Sequence, residues 1–181
     1  MDKEKSKVIY CFSEGEFSIL ADVCGIRKML CFNTKAGNDL RKLLQAEYNR
    51  TVFDLCKRGV ISRNENKLVL GKQIATMITR CGKSKKIICF RKRSEQVYTA
   101  CFYFDDGMNY SLILPGRRNS EYIRISSHME SEMFDMLECY MSDGDEAYIY
   151  DGGDLQKLCV LNREMEDKYS VEELIKHIKG E

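Results

Sequence analysis

Apolar residues first recur at helical spacing just after Ser13, where Phe17, Leu20, Val23 and Cys24 fall on one face of a 3.6-residue repeat. Ser13 with Glu16 three positions on is a capping box, in which hydroxyl and carboxylate each take up an otherwise unmade helix amide. Gly25 stops that helix. Residues 26–32 form a short apolar bridge. A helical stretch starting at Thr34 or Asn38 then carries Leu40, Leu43, Leu44 and Ala46 on one face. The next helix begins near Thr51, turns Val52, Leu55 and Cys56 inward, and ends at Gly59. Val60-Ile61 and Leu68-Val69-Leu70 flank a polar turn and predict a β-hairpin. After Gly71, residues 72–81 read as a helix with Ile74, Met77 and Ile78 inward, closed by Gly82.

The period then changes from 3.6 to 2. Residues 87–90 form one strand. Residues 97–104 form a second, with Tyr98, Phe102 and Phe104 on one face and Val97, Cys101 and Tyr103 on the other. Asp105-Asp106-Gly107 is a tight-turn signal. Residues 108–114 give a third strand, Pro115-Gly116 a turn, and 122–125 a fourth. The second strand is apolar on both faces, so this antiparallel meander is expected to be covered on both sides. Ser126 or Ser127 caps a helix carrying Met129, Met133, Phe134, Met136, Leu137, Tyr140 and Met141. Residues 147–150 read as a strand, and 155–161 are ambiguous. Ser170 and Glu173 form a second capping box, opening a last helix with Leu174, Ile175 and Ile178. The expected fold class is α+β: a winged-helix-like helical lobe (1–82) packed with an antiparallel sheet lobe and C-terminal helices (83–181), as one compact unit.

Composition narrows the setting. The chain has 181 residues, of which 44% are hydrophobic and 31% charged, enough for a core under an ordinary solvated surface. No apolar run approaches the roughly 20 residues that span a bilayer, so no membrane insertion is expected. Residues 8–12 are too short for a signal-peptide core, and the reading is cytoplasmic. The nine cysteines are odd in number, scattered through apolar segments and without a Cys-x-x-Cys pair, so they read as small core hydrophobes rather than a disulfide framework. With only His128 and His177 besides, no metal site is expected. The net charge of +1 conceals a split: residues 1–100 hold 21 Lys/Arg against 10 Asp/Glu, and 101–181 hold 8 against 18. Such blocks either offset each other within the molecule or mark a charged partner.

The chain carries no phosphate-binding loop, H-E-x-x-H or G-x-S-x-G motif. Asp143-Gly144-Asp145-Glu146 lacks the glycine and closing glutamate of a calcium loop at the required offsets. His128, at an expected helix start, reads as a cap or surface residue. The expectation is therefore no enzyme and no cofactor, and two binding readings stand. In the first, a winged helix would place the helix from Thr51 in the major groove, reading bases through Arg50, Thr51, Asp54 and Lys57, with the wing near Arg63–Asn66 on the backbone.

The second reading uses the whole chain. Phe12-Ser13-x-x-Glu16-Phe17-x-x-Leu20, then Leu55-x-x-Arg58-Gly59-Val60-Ile61, then Leu68-Val69-Leu70 before the helix with Ile74 and Ile78, resembles the EspG-type chaperones of type VII (ESX) secretion. The sheet and the helix of 129–141 continue that likeness to about residue 141, in a chain much shorter than the actinobacterial members. The resemblance implies a cytoplasmic α/β adaptor that binds helical export substrates and keeps them soluble, so the implied partner is a helical secreted protein or toxin complex. Candidate partner-binding residues are Met133 and Met136, whose flexible thioethers adapt to varied surfaces, and the basic hairpin end Arg91, Lys92, Arg93 and Gln96. The competing assignments are core packing for the methionines and a solvated turn for the basic group. Nucleic acid is the partner only in the winged-helix alternative.

Overall fold

The computed structural model describes residues 8–30, 32, 45–65, 67–92, 98–105, 108–115, 121–142, 146–151, 156–160 and 176. β1 (Ile9–Phe12) runs into α1 (Glu14–Val23), and α2 (Gln45–Lys57) leads to the hairpin β2 (Ile61–Asn64) and β3 (Lys67–Leu70). α3 (Lys72–Lys83) opens onto β4 (Lys86–Arg91), β5 (Tyr98–Phe104), β6 (Asn109–Ile113) and β7 (Ile123–His128). α4 (Glu130–Ser142) precedes β8 (Glu146–Asp151) and β9 (Gln156–Val160). Seven strands form one sheet in the order β1-β7-β6-β5-β4-β8-β9, with every neighbouring pair antiparallel. β2 and β3 form a separate two-stranded sheet. The fold is α+β.

Local chemistry fixes the helix ends. Ser13 Oγ accepts the Glu16 amide at 3.2 Å, and the Glu16 carboxylate accepts the Ser13 amide at 2.8 Å, which starts α1. α1 and α2 end alike. The amide of Ile26 donates to the Ala21 carbonyl and that of Gly25 to the Asp22 carbonyl, both at 2.9 Å. Val60 and Gly59 repeat the pattern on Leu55 and Cys56, both at 3.0 Å. This double bond needs a left-handed residue, and Gly25 (φ 72°) and Gly59 (φ 70°) supply it. Arg58, just past α2, pairs with Glu16, donates to the Cys11 carbonyl at 3.1 Å and lies over the Phe12 ring. It thereby ties the end of α2 to the junction of β1 and α1.

The sheet is covered on both faces, as the apolar pattern of its second strand required. On the first face, Phe17 and Leu20 of α1, Val52 and Leu55 of α2, Ile61 and Leu70 of the hairpin, and Ile74, Met77 and Ile78 of α3 pack on Ile87, Cys101, Tyr103, Leu112, Ile123 and Ile125. This cluster draws on residues from either side of position 82. On the second face, Met133, Leu137 and Tyr140 of α4 pack on Ile88, Phe90, Ala100, Phe102, Ile113, Ala147 and Ile149.

Several elements differ from the sequence expectation. β1 and β9 form the two edges of the sheet, where the sequence pattern marks no element for the first and an ambiguous one for the second. α2 begins at Gln45 rather than near Thr51, because no breaker stands between them. β5 contains a bulge: Phe90 pairs with Ala100 and Arg91 with Tyr98, leaving Thr99 as the extra residue. Thr99 is buried and its hydroxyl donates to the Phe90 carbonyl. The extra residue reverses the pleat, so Tyr98 joins the face of Cys101 and Tyr103 and packs on Tyr148. Finally, Ser126 and Ser127 do not cap α4 but continue β7 to His128. α4 starts after Met129, whose amide donates to the Glu132 carboxylate at 3.1 Å, the reciprocal half of a capping box without its serine. The expected helices from Thr34 or Asn38 and from Ser170 fall on positions outside the described residues, apart from Ala46 in α2 and the lone helical Lys176.

Among the described residues no helix is long and apolar enough to cross a membrane. Cys11, Cys24, Cys56, Cys81, Cys89, Cys101 and Cys139 are free thiols. Gly82, in the last turn of α3, carries the tightest packing constraint on a glycine among the described residues: a Cβ there would stand 2.6 Å from Cγ2 of Ile26. Ile26 is buried and, being branched at Cβ, is stiff at χ1, so it has little room to yield. Gly82→Ala should therefore lose about 1–3 kcal/mol to overpacking instead of gaining the roughly 1 kcal/mol of helix propensity. The urea midpoint reads this directly, and an unchanged or raised midpoint would refute the close approach.

Candidate functional site

α4 packs over β4, β5 and β8 and reaches Ile113 of β6. Toward β7 and β1 its cover runs out among the described residues, and a cleft of about 290 Å³ opens between helix and sheet. The period-2 pleat of β7 puts Arg124, Ser126 and His128 on the cleft side, while Ile123 and Ile125 enter the opposite core. Ile9 of β1, in register opposite Ser126, forms one rim. Ile113 of β6 and Asp135, Met136, Cys139 and Tyr140 of α4 form the walls.

The floor is polar and tightly connected. His128 Nε2 lies 2.7 Å from Ser111 Oγ and 2.8 Å from Ser126 Oγ, and the two hydroxyls are 2.9 Å apart. All three residues are buried, and the hydrogen bonds they share are what makes their burial tolerable. His128 Nδ1 stands 3.8 Å from the Glu132 carboxylate, an ion-pair rather than a hydrogen-bond distance. The Ser126–His128 contact has the spacing of a nucleophile beside a base. Ser111, fully buried, shares the same ring nitrogen, so the trio acts as a clamp between β6 and β7. Arg124 completes the floor. Its Nε is buried and has no hydrogen-bond partner among the described residues. Sequence reading missed this floor, having assigned Ser126 to a helix cap and His128 to a helix start. The signal was present as the two-residue step Arg124, Ser126, His128 continuing the alternation of Ile123 and Ile125.

The residues singled out in the sequence separate onto different parts of the molecule. Met133 is completely buried among Phe90, Phe102 and Leu137, whereas Met136 is half-buried and lines the cleft. Arg91, at the end of β4, is half-buried on the other face. Its guanidinium donates to the Glu146 carboxylate at 2.6 Å and to the Tyr148 hydroxyl, and lies 4.9 Å over the Tyr148 ring. Tyr148 in turn donates to Glu146 at 2.7 Å. Lys92 follows, half-buried, and Arg93 and Gln96 lie outside the described residues. Burial pushes the Tyr148 hydroxyl above its ordinary pKa of 10.0, and its hydrogen bond to Glu146 adds to the rise. Burial likewise raises the Cys24 and Cys81 thiols, which keeps them protonated and unreactive. Among the described residues no group of His, Cys, Asp and Glu could hold a metal ion.

No known family profile matches the chain, and no curated protein matches it in sequence. Among solved structures it is similar to that of the Mycobacterium tuberculosis type VII secretion system chaperone EspG5 in complex with the PE25–PPE41 dimer. The TM-score is 0.51 and the identity 8%, over 76% of this chain and 51% of that chain. The chain thus spans about half the length of this neighbour, and at that identity the likeness is one of fold.

The two methionines should respond differently to truncation. Met133→Ala, which empties a closed core site, should cost about 2–5 kcal/mol. Met136→Ala, on the cleft wall, should cost about 1 kcal/mol or less. Denaturant titration of both variants reads the difference, and equal losses would contradict the placement. The Tyr148 hydroxyl gives a pH dependence. Its folded pKa lies above the unfolded one, so its contribution is full below pH of about 10 and is lost as pH rises through the folded value. The urea midpoint should fall in that alkaline window, and Tyr148→Phe should flatten part of the fall. A variant with the wild-type alkaline slope would exclude Tyr148 as its source.

Proposed function

We propose that this chain is a cytosolic adaptor that binds a helical protein partner of the kind exported by type VII (ESX) secretion and keeps it soluble and export-competent. The observation that carries the reading is the fold-level similarity of this chain to EspG5, a chaperone whose structure holds a PE25–PPE41 dimer. A fold does not by itself assign a function, so the reading also needs a surface suited to the task. The cleft offers one. Its apolar walls, Ile9, Ile113 and Met136, suit the side chains of a docked helix. Glu130, Glu132, Asp135 and Glu138 give the adjoining helix an acidic face, which would orient the partner and speed its encounter. Met136 supplies an adaptable contact. The basic connection of Arg91, Lys92, Arg93 and Gln96 would be a second, separate contact, with Arg91 held in place by Glu146.

The test is co-expression with the small helical proteins encoded beside its gene. One of them should co-elute with it stoichiometrically on size exclusion and should aggregate when expressed alone. If none co-purifies, or if each stays soluble without it, the proposal fails. A gel shift showing nanomolar preference for one duplex site would likewise defeat it and favour the winged-helix alternative, in which α2 reads DNA.

A further inference from the structure

The geometry points to the cleft as a carboxylate-binding site, taking a single carboxylate on a short apolar stem with Arg124 as its anchor. This goes beyond the adaptor reading and does not depend on it. Arg124 is always charged, and its Nε belongs to the side-on edge of the guanidinium, where Nε and one Nη donate in parallel. That edge matches the two oxygens of a carboxylate. In this structure Nε is buried with no hydrogen-bond partner among the described residues, on a side chain that lines the cleft. A buried donor without an acceptor is unfavourable, so the cleft stands to gain most from a ligand that supplies one.

The surroundings define the rest of the ligand. Ser126 and His128, both at least nine-tenths buried, border the same floor and are fixed by their mutual hydrogen bond of 2.8 Å. A carboxylate on Arg124 therefore meets a preformed polar edge rather than a mobile one. Ile9, Ile113 and Met136 supply an apolar part of the lining, beside Cys139 and Tyr140. The cleft, at about 290 Å³, lies at the lower end of ligand-pocket volumes, which suits a fragment rather than a drug-sized molecule. Asp135 faces the cleft from α4 and is exposed. It works against a second negative charge, so a monocarboxylate fits and a dicarboxylate or phosphate does not. The chemistry has two sources: a glutamate side chain of a protein partner, or a free short-chain acid.

Two probes separate them: N-acetyl-glutamate N-methylamide, which mimics a glutamate within a chain, and hexanoate. The readout is the Arg124 Nε–Hε resonance of the intact protein in a ¹H–¹⁵N spectrum, assigned by its loss in Arg124→Lys. A saturable downfield shift with either probe, and none with hexanol or hexylamine, is the expected result. The capped glutamate binding more tightly assigns the site to a partner's side chain, and hexanoate binding more tightly assigns it to a small acid. Arg124→Met, once its circular dichroism matches wild type, should weaken binding by at least about tenfold, because the paired donors are gone. The resonance test needs no variant to fold. If neither probe moves Nε saturably, or if succinate and phosphate move it as strongly as hexanoate, the proposal is wrong. Failure here leaves complex formation with a helical partner untouched, and failure of that complex leaves the Nε titration untouched.

Discussion

The central strands have no polar face. In β4, Ile87 and Cys89 enter one core while Ile88 and Phe90 enter the other. In β5, Cys101 and Tyr103 oppose Ala100 and Phe102 in the same way. An antiparallel sheet can leave one side to water, but this one cannot, because each of its middle residues loses solvent contact only if both sides are covered. The three-layer arrangement follows. The chain before β4 supplies one cover, from α1, α2, the hairpin and α3, and the chain after β7 supplies the other, from α4.

The two covers are unequal, and the cleft is the consequence. A helix with its side chains is about 10–12 Å across, and strands lie about 4.7–4.9 Å apart. One helix therefore covers two or three strands of the seven in this sheet. Beneath α4 the second face is Phe90, Phe102, Ala100 and Ile149; beyond it, on β6 and β7, the same face turns to Ser111, Arg124, Ser126 and His128. Polar groups at such a margin must satisfy one another or find something that does. Ser111, Ser126 and His128 share their hydrogen bonds within a triangle of short contacts. The Nε of Arg124 is outside that triangle. Margin, polar floor and buried donor thus have one geometric origin.

What could be read from the sequence tracks how local each cause is. The capping box at Ser13 and the glycine stops at Gly25 and Gly59 act within six residues, and all three ends fall where the pattern puts them. The hairpin and the meander were legible because alternation and turn residues agree. The bulge at Thr99 was not, since it depends on the pairing of β4 with β5, and it sent Tyr98 to the unexpected face. β7 was cut short because Ser127 faces the apolar side with a polar group, which broke the alternation just before His128. The floor of the cleft was lost with it. Met133 and Met136 look alike in sequence, three residues apart on one amphipathic helix. Only the limited reach of α4 across the sheet makes one core and the other cleft wall.

The charge split of the sequence becomes a split between faces. Lys57, Arg58, Lys72, Arg80 and Lys83 ride on the α2 and α3 cover of the first face, while Glu130, Glu132, Asp135 and Glu138 ride on α4 over the second. Arg80 with Asp105 and Arg91 with Glu146 join the basic and acidic halves of the chain. A group approaching the cleft therefore meets a negative field at distances up to a Debye length of about 8 Å at physiological salt. Within the cleft the near donors of Arg124 act against that field at short range, where Coulomb terms are largest. The outer field and the inner donor thus select in opposite senses. The first disfavours highly anionic surfaces such as nucleic acid on this face, and the second rewards one desolvated carboxylate carried in on an apolar stem.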